Sequence, residues 1–133
     1  MKRVWRVVVY LWVAPSSAVG LLATTIALLQ GGRGRWVDGV LEVTGPKLLR
    51  WLSRGAPIDG GIAAITLGHV VVGQSETTLA ETRLHERVHV RQYERWGPFF
   101  IPAYLLASAW VKLRGKDPYL DNPFEVEAYA EAG

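Results

Sequence analysis

The stretch His85-Glu86-Arg87-Val88-His89 places two histidines four residues apart, with a glutamate next to the first. In an α-helix, residues i and i+4 lie on one face, one turn apart, so both imidazoles can reach a single ion. A glutamate between two such histidines can then act as a base on a water molecule bound to the metal. The motif therefore predicts zinc ligands at His85 and His89 and a catalytic Glu86. The alternative is an exposed helix that carries two solvated histidines.

The residues around the motif predict one long helix. From Thr78 to Trp96 the chain contains no glycine or proline, Ser75 and Thr77 are candidate N-caps, and Gly97-Pro98 is a stop signal. Basic residues recur at spacing four along one side of this helix, which predicts a solvated face. That face consists of Arg83, Arg87, Arg91 and Arg95.

A third ligand is predicted in a second, C-terminal helix. Asn122 is a candidate N-cap and Pro123 a candidate first helical residue. Glu125 is the expected ligand, because it shares a face with the small Ala128, which lets the two helices approach closely. In the alternative, Asn-x-x-Glu is a capping box and Glu125 bonds its own helix start. Glu127 is the other possible ligand, but it points about 200° away from Glu125, so both cannot serve.

His-Glu-x-x-His followed some tens of residues later by Glu-x-x-Ala resembles the gluzincin class of zinc metallopeptidases. The chain is most similar to the compact, membrane-associated kind, which includes the CAAX-prenyl protease and heat-shock membrane protease groups. The resemblance covers roughly residues 62 to 130 and maps Glu125 onto the third ligand. It implies an α+β fold with a zincin-like core, in which a small β-sheet precedes the HExxH helix and a C-terminal ligand helix follows.

The sequence departs from this family at one position. The family usually carries aspartate directly after the alanine, where it supports a zinc-bound histidine, and this chain has Tyr129 there. Metal-bound histidines generally need an acceptor for the other ring nitrogen. Asp121, Glu81 or a backbone carbonyl are the candidate replacements. The motif helix is also similar to that of small bacterial proteins in which it has the pattern His-Glu-x-x-His-x-x-Gln.

The segment before the motif helix predicts β-structure. Residues 62–73 are rich in β-branched side chains and predict one bent strand or a tight strand pair, with Gly68 at the bend. The resemblance implies that this strand borders the cleft and binds an extended peptide by backbone pairing. His69 is expected to be a surface strand histidine, and a polar group near the metal is the alternative. Three further segments are predicted: a strand over residues 36–45, an amphipathic helix over 46–54 and turns over 55–61.

The N-terminal segment is long and apolar. The run from Val7 to Leu29 carries no charge and is long enough to span a bilayer. We therefore expect a single-pass membrane anchor in residues 1–33 and a metallohydrolase domain in residues 34–133. The alternatives are a buried core helix and a cleavable signal peptide with a weak site at residues 16–18. A second apolar stretch, residues 98–111, is short for a span and predicts a core helix or one at the membrane surface.

Composition sets the broader frame. The chain has 133 residues, 50% of them hydrophobic, with 6 Trp, which favours one domain plus an anchor. The net charge of +3 comes from dispersed basic residues without a nucleic-acid motif, so a lipid bilayer is the expected partner and nucleic acid is not. There is no cysteine, which excludes disulfides and thiolate ligands.

The predicted chemistry is metal-assisted hydrolysis of a peptide or protein substrate. Zn²⁺ bound by two histidines and one carboxylate keeps a coordination position open for water. Glu86 would take the proton of that water and pass it to the leaving amine. The alternative function is that of a non-catalytic membrane protein that uses the zincin fold as a structural or binding module. The candidate donors for the oxyanion are Tyr93, Tyr104, Tyr119, Tyr129 and His69.

Overall fold

The structure is a computed structural model that describes residues 2–54 and 62–132. The described chain is α+β, with five α-helices and a four-stranded sheet. The predicted turn segment, residues 55–61, lies outside the described residues. The elements are α1 (Lys2–Leu29), β1 (Gly34–Val37), β2 (Val40–Thr44), α2 (Pro46–Ser53), β3 (Ala64–Leu67), β4 (Val70–Gly73), α3 (Glu76–Trp96), a 3₁₀ turn (Gly97–Phe99), α4 (Phe100–Leu113) and α5 (Pro123–Ala132).

The sheet is mixed, with strand order β1-β2-β4-β3. The central strands β2 and β4 run parallel, while each edge strand is antiparallel to its neighbour. The prediction of a single strand over residues 36–45 is wrong, because Asp38 and Gly39 form a hairpin turn with φ of 49° and 81°. Asp-Gly is a strong hairpin signal, since both positions of that turn require positive φ. The predicted strand pair over 62–73 is confirmed, and Gly68 occupies its turn with φ of 67°.

Both faces of the sheet are covered. Successive strand residues point to opposite faces, so Val72 packs with Leu49 and Ala27 from α2 and α1, whereas Val71 packs with Leu79 of α3. The predicted amphipathic helix over residues 46–54 is thereby confirmed. The motif helix α3 and the C-terminal half of α1 consequently lie on opposite faces of one sheet.

The long helix α3 begins and ends where its sequence signals predict. The Ser75 hydroxyl accepts the N–H of Thr78 at 3.0 Å, and the helix stops at Gly97, which has φ of 58°. These are the N-cap bond and the left-handed terminal glycine expected of a helix. Of the two candidate N-caps, Ser75 has this role.

The prediction of a solvated arginine face is wrong for Arg83 and Arg87. Arg83 and Arg87 bind the buried carboxylate of Glu42 on β2, at 2.9 and 3.1 Å. Burial alone would raise the pKa of Glu42, but these two guanidinium groups hold it below its ordinary value of 4.5. A buried carboxylate requires such partners. Arg91 and Arg95 are exposed, as expected, and pair with acidic side chains of α5.

Helix α1 is long and apolar enough to cross a membrane, a property that a signal sequence or a core helix shares. One side of it is buried: Gly20 and Ala27 face the sheet, and Val13 packs with Tyr93 of α3 and Phe100 of α4. The boundary at residue 33 between a membrane anchor and a metallohydrolase domain stays a prediction. The single membrane pass stays a prediction as well. Of α4, only Phe100 and Val111 are buried, so the first of the two alternatives for residues 98–111, a core helix, is wrong, and the second, a helix at the membrane surface, stays a prediction.

Candidate metal centre

Helices α3 and α5 bring the three predicted ligands together. Glu125 and Ala128 are both buried on the face of α5 that packs against α3, as their spacing predicts. Glu125 Oε1 lies 3.0 Å from His85 Nε2 and 3.0 Å from His89 Nε2, and the two Nε2 atoms are 3.2 Å apart. One donor atom from each residue therefore forms a small triangle that could hold a metal ion.

The size of this triangle suits zinc. Four-coordinate Zn²⁺ has bonds to nitrogen and oxygen of about 2.0–2.2 Å, which separates neighbouring ligand atoms by about 3.3 Å. The donor atoms here are separated by 3.0 to 3.2 Å. Two imidazoles and one carboxylate are also a ligand set that zinc accepts. The donor set therefore fits the metal, and the choice of zinc over another divalent ion stays a prediction.

The two alternative uses of the α5 carboxylates are wrong. Asn122 caps the helix through its Oδ1, which accepts the Phe124 N–H at 3.0 Å, while the Glu125 side chain faces the histidines and not its own helix start. Glu127 points away from the triangle and accepts hydrogen bonds from Gln92 and Arg95, each at 2.8 Å. Residues two apart on a helix point about 200° away from each other, which explains why Glu125 faces the triangle and Glu127 does not.

Gln92 determines which ring nitrogen of His89 carries a proton in the neutral ring. Its Nε2 donates to the Phe124 carbonyl at 3.0 Å and to Glu127 at 2.8 Å, so its Oε1 must face His89 Nδ1, which lies 2.8 Å away. That contact requires a proton on Nδ1. A neutral His89 ring then presents the Nε2 lone pair to Glu125 and His85. Such converging lone pairs call for a proton or a cation between them.

Gln92 is the supporting residue that the sequence prediction missed. The signal was its position three residues after His89, as in the pattern His-Glu-x-x-His-x-x-Gln. The expected substitutes do not have this role, because Glu81 is exposed and Asp121 accepts the N–H of Asp117. Tyr129 packs its ring 4.4 Å from that of His85. The Nδ1 of His85 is buried and has no hydrogen-bond partner among residues 2–54 and 62–132.

Replacement of Gln92 by leucine is expected to weaken zinc binding by about 10–100-fold, the usual cost of losing a supporting acceptor. The leucine leaves Nδ1 of His89 without an acceptor and lets the ring tautomer change. Competition with a chromophoric chelator measures the affinity. Gln74→Leu is the matched control, because the Gln74 side chain is exposed and, among the described residues, bonds only the Ile62 carbonyl. Equal affinities in the two variants would remove Gln92 from the site.

A tyrosine orients the carboxylate ligand. Tyr104 of α4 donates its hydroxyl hydrogen to Glu125 Oε2 at 2.6 Å, which leaves Oε1 for the histidines. Burial alone would raise the pKa of Glu125, but the hydrogen bonds from His85, His89 and Tyr104 lower it to about 2. Burial would likewise lower the pKa of His89, yet its bond to Glu125 and the nearby negative charges raise it. Without a metal ion, Glu125 and the two histidines therefore favour a bound proton or cation between them.

Glu86 lies beside the triangle and is buried. The hydroxyl of Thr66, on the edge strand β3, donates to Glu86 Oε2 at 2.6 Å. Burial raises the pKa of Glu86, and the Thr66 bond and the two histidines oppose this only in part. The carboxylate is thus held in one orientation by a neighbouring strand.

A cavity of about 380 Å³ opens next to these groups. Its polar lining comes from Glu86, His89, Glu125 and the Thr66 side chain, and the rest is mostly apolar or aromatic. This volume lies in the range of small-ligand pockets. The edge strand β3 forms one wall, as the resemblance implies. The other lining residues are Ile62, Ile65, Leu67, Tyr93, Phe100, Ile101, Tyr104, Leu105, Ser108, Pro118 and Tyr119.

Most of the candidate oxyanion donors already have partners. Tyr93 donates to the Thr66 carbonyl at 2.9 Å, and Tyr119 lines the cavity but pairs with Tyr129 at 3.1 Å. His69 lies in the β3–β4 turn, where it is buried and contacts Glu94 at 3.0 Å, so the expectation of a surface strand histidine is wrong. It also stays outside the cavity lining.

Comparison of the chain with family models, curated proteins and solved structures finds no match. The resemblance to gluzincins therefore rests on the two motifs. Helix α3 supplies both histidines and Glu86, while α5 supplies the carboxylate and α4 the tyrosine that orients it.

Proposed function

We propose that the chain is a zinc-dependent metallopeptidase that hydrolyses peptide bonds. One observation carries this proposal: the buried Glu86 carboxylate lies beside a convergent His85, His89 and Glu125 triangle and borders a cavity. A site that served only to hold a metal would have no use for an oriented carboxylate adjacent to the ligands. When bound, a zinc ion would supply Lewis-acid polarisation of the substrate carbonyl and activation of a water molecule.

The roles of the protein groups follow from their contacts. Thr66 holds Oε2 of Glu86, and Oε1 of the same carboxylate has no hydrogen bond to the described residues, which makes it available to accept the proton of water. Glu86 can then return that proton to the leaving amine, as a general base that becomes a general acid. Tyr104 and Gln92 orient Glu125 and His89 and do not touch the reacting atoms.

The position of β3 supports a polypeptide substrate. It is an edge strand of the sheet and also a wall of the cavity. An edge strand can bind an extended peptide by backbone hydrogen bonds. Because the Thr66 carbonyl is already bonded to Tyr93, such pairing would use other groups of this edge.

The proposal is tested by incubating the zinc-loaded full chain with a mixed peptide library and identifying the products by mass spectrometry. We expect cleavage at defined bonds, its loss after chelation, and its return when one equivalent of zinc is added. Elemental analysis of protein purified without metal-affinity resin should give about one zinc per chain. Zinc binding without cleavage of any peptide would favour the alternative, a non-catalytic binding module. The unpartnered Nδ1 of His85 is the observation that favours this alternative.

We further propose that the chain works at a lipid bilayer. Helix α1 has the length and composition for this, and many of its large apolar side chains are exposed, among them Val4, Leu11 and Leu22. Exposed apolar surface on this scale marks a membrane or a protein interface. Basic residues precede and follow the apolar run, which suits anionic headgroups.

A further inference from the structure

Helix α1 is fastened to the sheet along most of its length. The Tyr10 hydroxyl donates to the Gly39 carbonyl at 2.6 Å, and the Ser17 hydroxyl accepts the His69 N–H at 3.0 Å. Further along, Ala27 belongs to the core cluster between α1, α2 and the sheet. From Tyr10 to Ala27 the helix advances about 26 Å, at 1.5 Å per residue.

Close backbone contact reinforces this attachment. Gly20 lies so near the β3–β4 hairpin that an added Cβ would approach the Leu67 carbonyl oxygen to 2.5 Å. Gly68 in the hairpin turn lies equally near Ser17, so an added Cβ would meet the backbone of α1 at 2.5 Å. Only glycine permits these distances, so the helix and the hairpin pack in direct backbone contact.

The side of α1 that faces away from the sheet is apolar except at the exposed Thr25. Val4, Val7, Leu11, Leu22 and Leu29 are all exposed, and their spacing places them on one stripe opposite the buried residues. No charged residue lies on this stripe. We call it the outer face of α1.

Two of the three basic residues at the start of α1, Lys2 and Arg6, lie on the opposite side, and Arg3 lies on the flank between the two sides. Arg6 and Lys2 precede the fully buried Val13 by seven and eleven residues, which places both on the sheet side of the helix axis. Basic residues that avoid the apolar stripe at this end are compatible with a helix that lies in a membrane interface.

A second exposed apolar patch adjoins one flank of α1. The rings of Trp12 and Phe99 lie 6.1 Å apart, and both side chains are exposed. Beyond Phe99, helix α4 exposes Leu106 and Trp110 and ends in basic residues, and neither α1 nor α4 contains an acidic one. Exposed tryptophan with flanking cations and without acidic groups complements an anionic lipid surface.

We propose that α1 lies in the plane of a lipid bilayer surface, with its outer face in the lipid, and does not cross the membrane. This inference rests on the proposed membrane association. The attached length of α1 nearly equals the hydrocarbon thickness of about 30 Å. If α1 crossed the bilayer, it would either leave the sheet or carry into hydrocarbon a domain whose exposed residues include Arg35, Arg91 and Arg95. If α1 lies in the plane of the surface, it keeps its contacts with the sheet, and the exposed arginines of the domain stay in water.

The absence of cysteine permits a direct test. We would make the single-cysteine variants Lys2→Cys and Gln30→Cys at the two ends of α1, and Glu81→Cys on the exposed part of α3. Each full chain is expressed in bacterial cells, and right-side-out and inverted membrane vesicles are treated with a membrane-impermeant maleimide. We expect all three cysteines to be labelled in the same one of the two preparations. The zinc content of each variant, unchanged from the parent, shows that the fold is retained.

Labelling of Lys2→Cys and Gln30→Cys in opposite preparations would overturn the in-plane placement and establish a membrane-spanning α1, while leaving membrane association intact. Recovery of all variants in the soluble fraction would overturn membrane association itself. If the soluble protein then sedimented as a dimer, the outer face would be a contact between two copies of the chain. Zinc content separates all of these outcomes from a failure of the metal site.

Discussion

Replacement of Glu86 by glutamine is expected to leave zinc bound and to lower the rate of peptide hydrolysis by about 10²–10⁴-fold, the range that general acid–base catalysis contributes. The amide has nearly the shape of the carboxylate, and its oxygen can still accept the Thr66 hydroxyl at the position of Oε2. It cannot accept the proton of water. The measurement is kcat/KM on the best peptide from the library, together with the zinc content of the same sample.

Glu81→Gln is the matched control for this variant. It makes the same chemical change on the same helix, at an exposed position outside the cavity lining. We expect it to keep the parent rate. If Glu86→Gln retained activity within a few fold, the general-base role would be wrong. If it lost zinc as well as activity, Glu86 would be a support of the metal site and not a catalytic residue.

Replacement of Glu125 by alanine is expected to lower zinc affinity by more than about 100-fold, because a direct ligand contributes more than the supporting groups around it. The parent protein should also lose thermal stability on chelation, since an ion that binds only the folded state stabilises that state. The variant should show no such effect. Zinc competition and the thermal midpoint with and without chelator measure the two quantities.

Glu127→Ala decides between the two neighbouring carboxylates. Glu127 touches Gln92 and Arg95 but none of the three donor atoms, so its loss should cost about 10-fold in affinity at most. A larger loss in Glu127→Ala than in Glu125→Ala would reverse the ligand assignment. Tight zinc binding in both variants would place the third ligand elsewhere.

Local sequence signals anticipated a large part of the fold. Ser75 and Gly97 mark the ends of α3 because capping depends on a few neighbouring atoms, and the same is true of Asn122 at the start of α5. The convergence of the candidate ligands was also predictable, since i and i+4 on a helix must share a face and Glu125 shares one with Ala128. The hairpin at Asp38-Gly39 carried a local signal too, but the prediction overlooked it.

Other features depend on which elements meet in space. The residues around Arg83 give no sign that its guanidinium binds Glu42, because Glu42 lies on a strand 41 residues earlier in the chain. The bond between Tyr104 and Glu125 likewise joins two helices whose relative placement is a property of the whole fold. Side-chain type alone could not select Thr66 as the residue that holds Glu86.

Residue spacing and short-range hydrogen bonds were enough to predict the helices, the strand pair of residues 62–73 and the identity of the candidate ligands from the sequence. Only the tertiary structure decided that Gln92 supports His89, that His69 is buried away from the cavity, and that α1 lies along the sheet. These features depend on burial and on contacts between residues distant in the chain. An apolar helix has the same sequence whether lipid or protein covers it, so only its neighbours show which side remains free for the membrane.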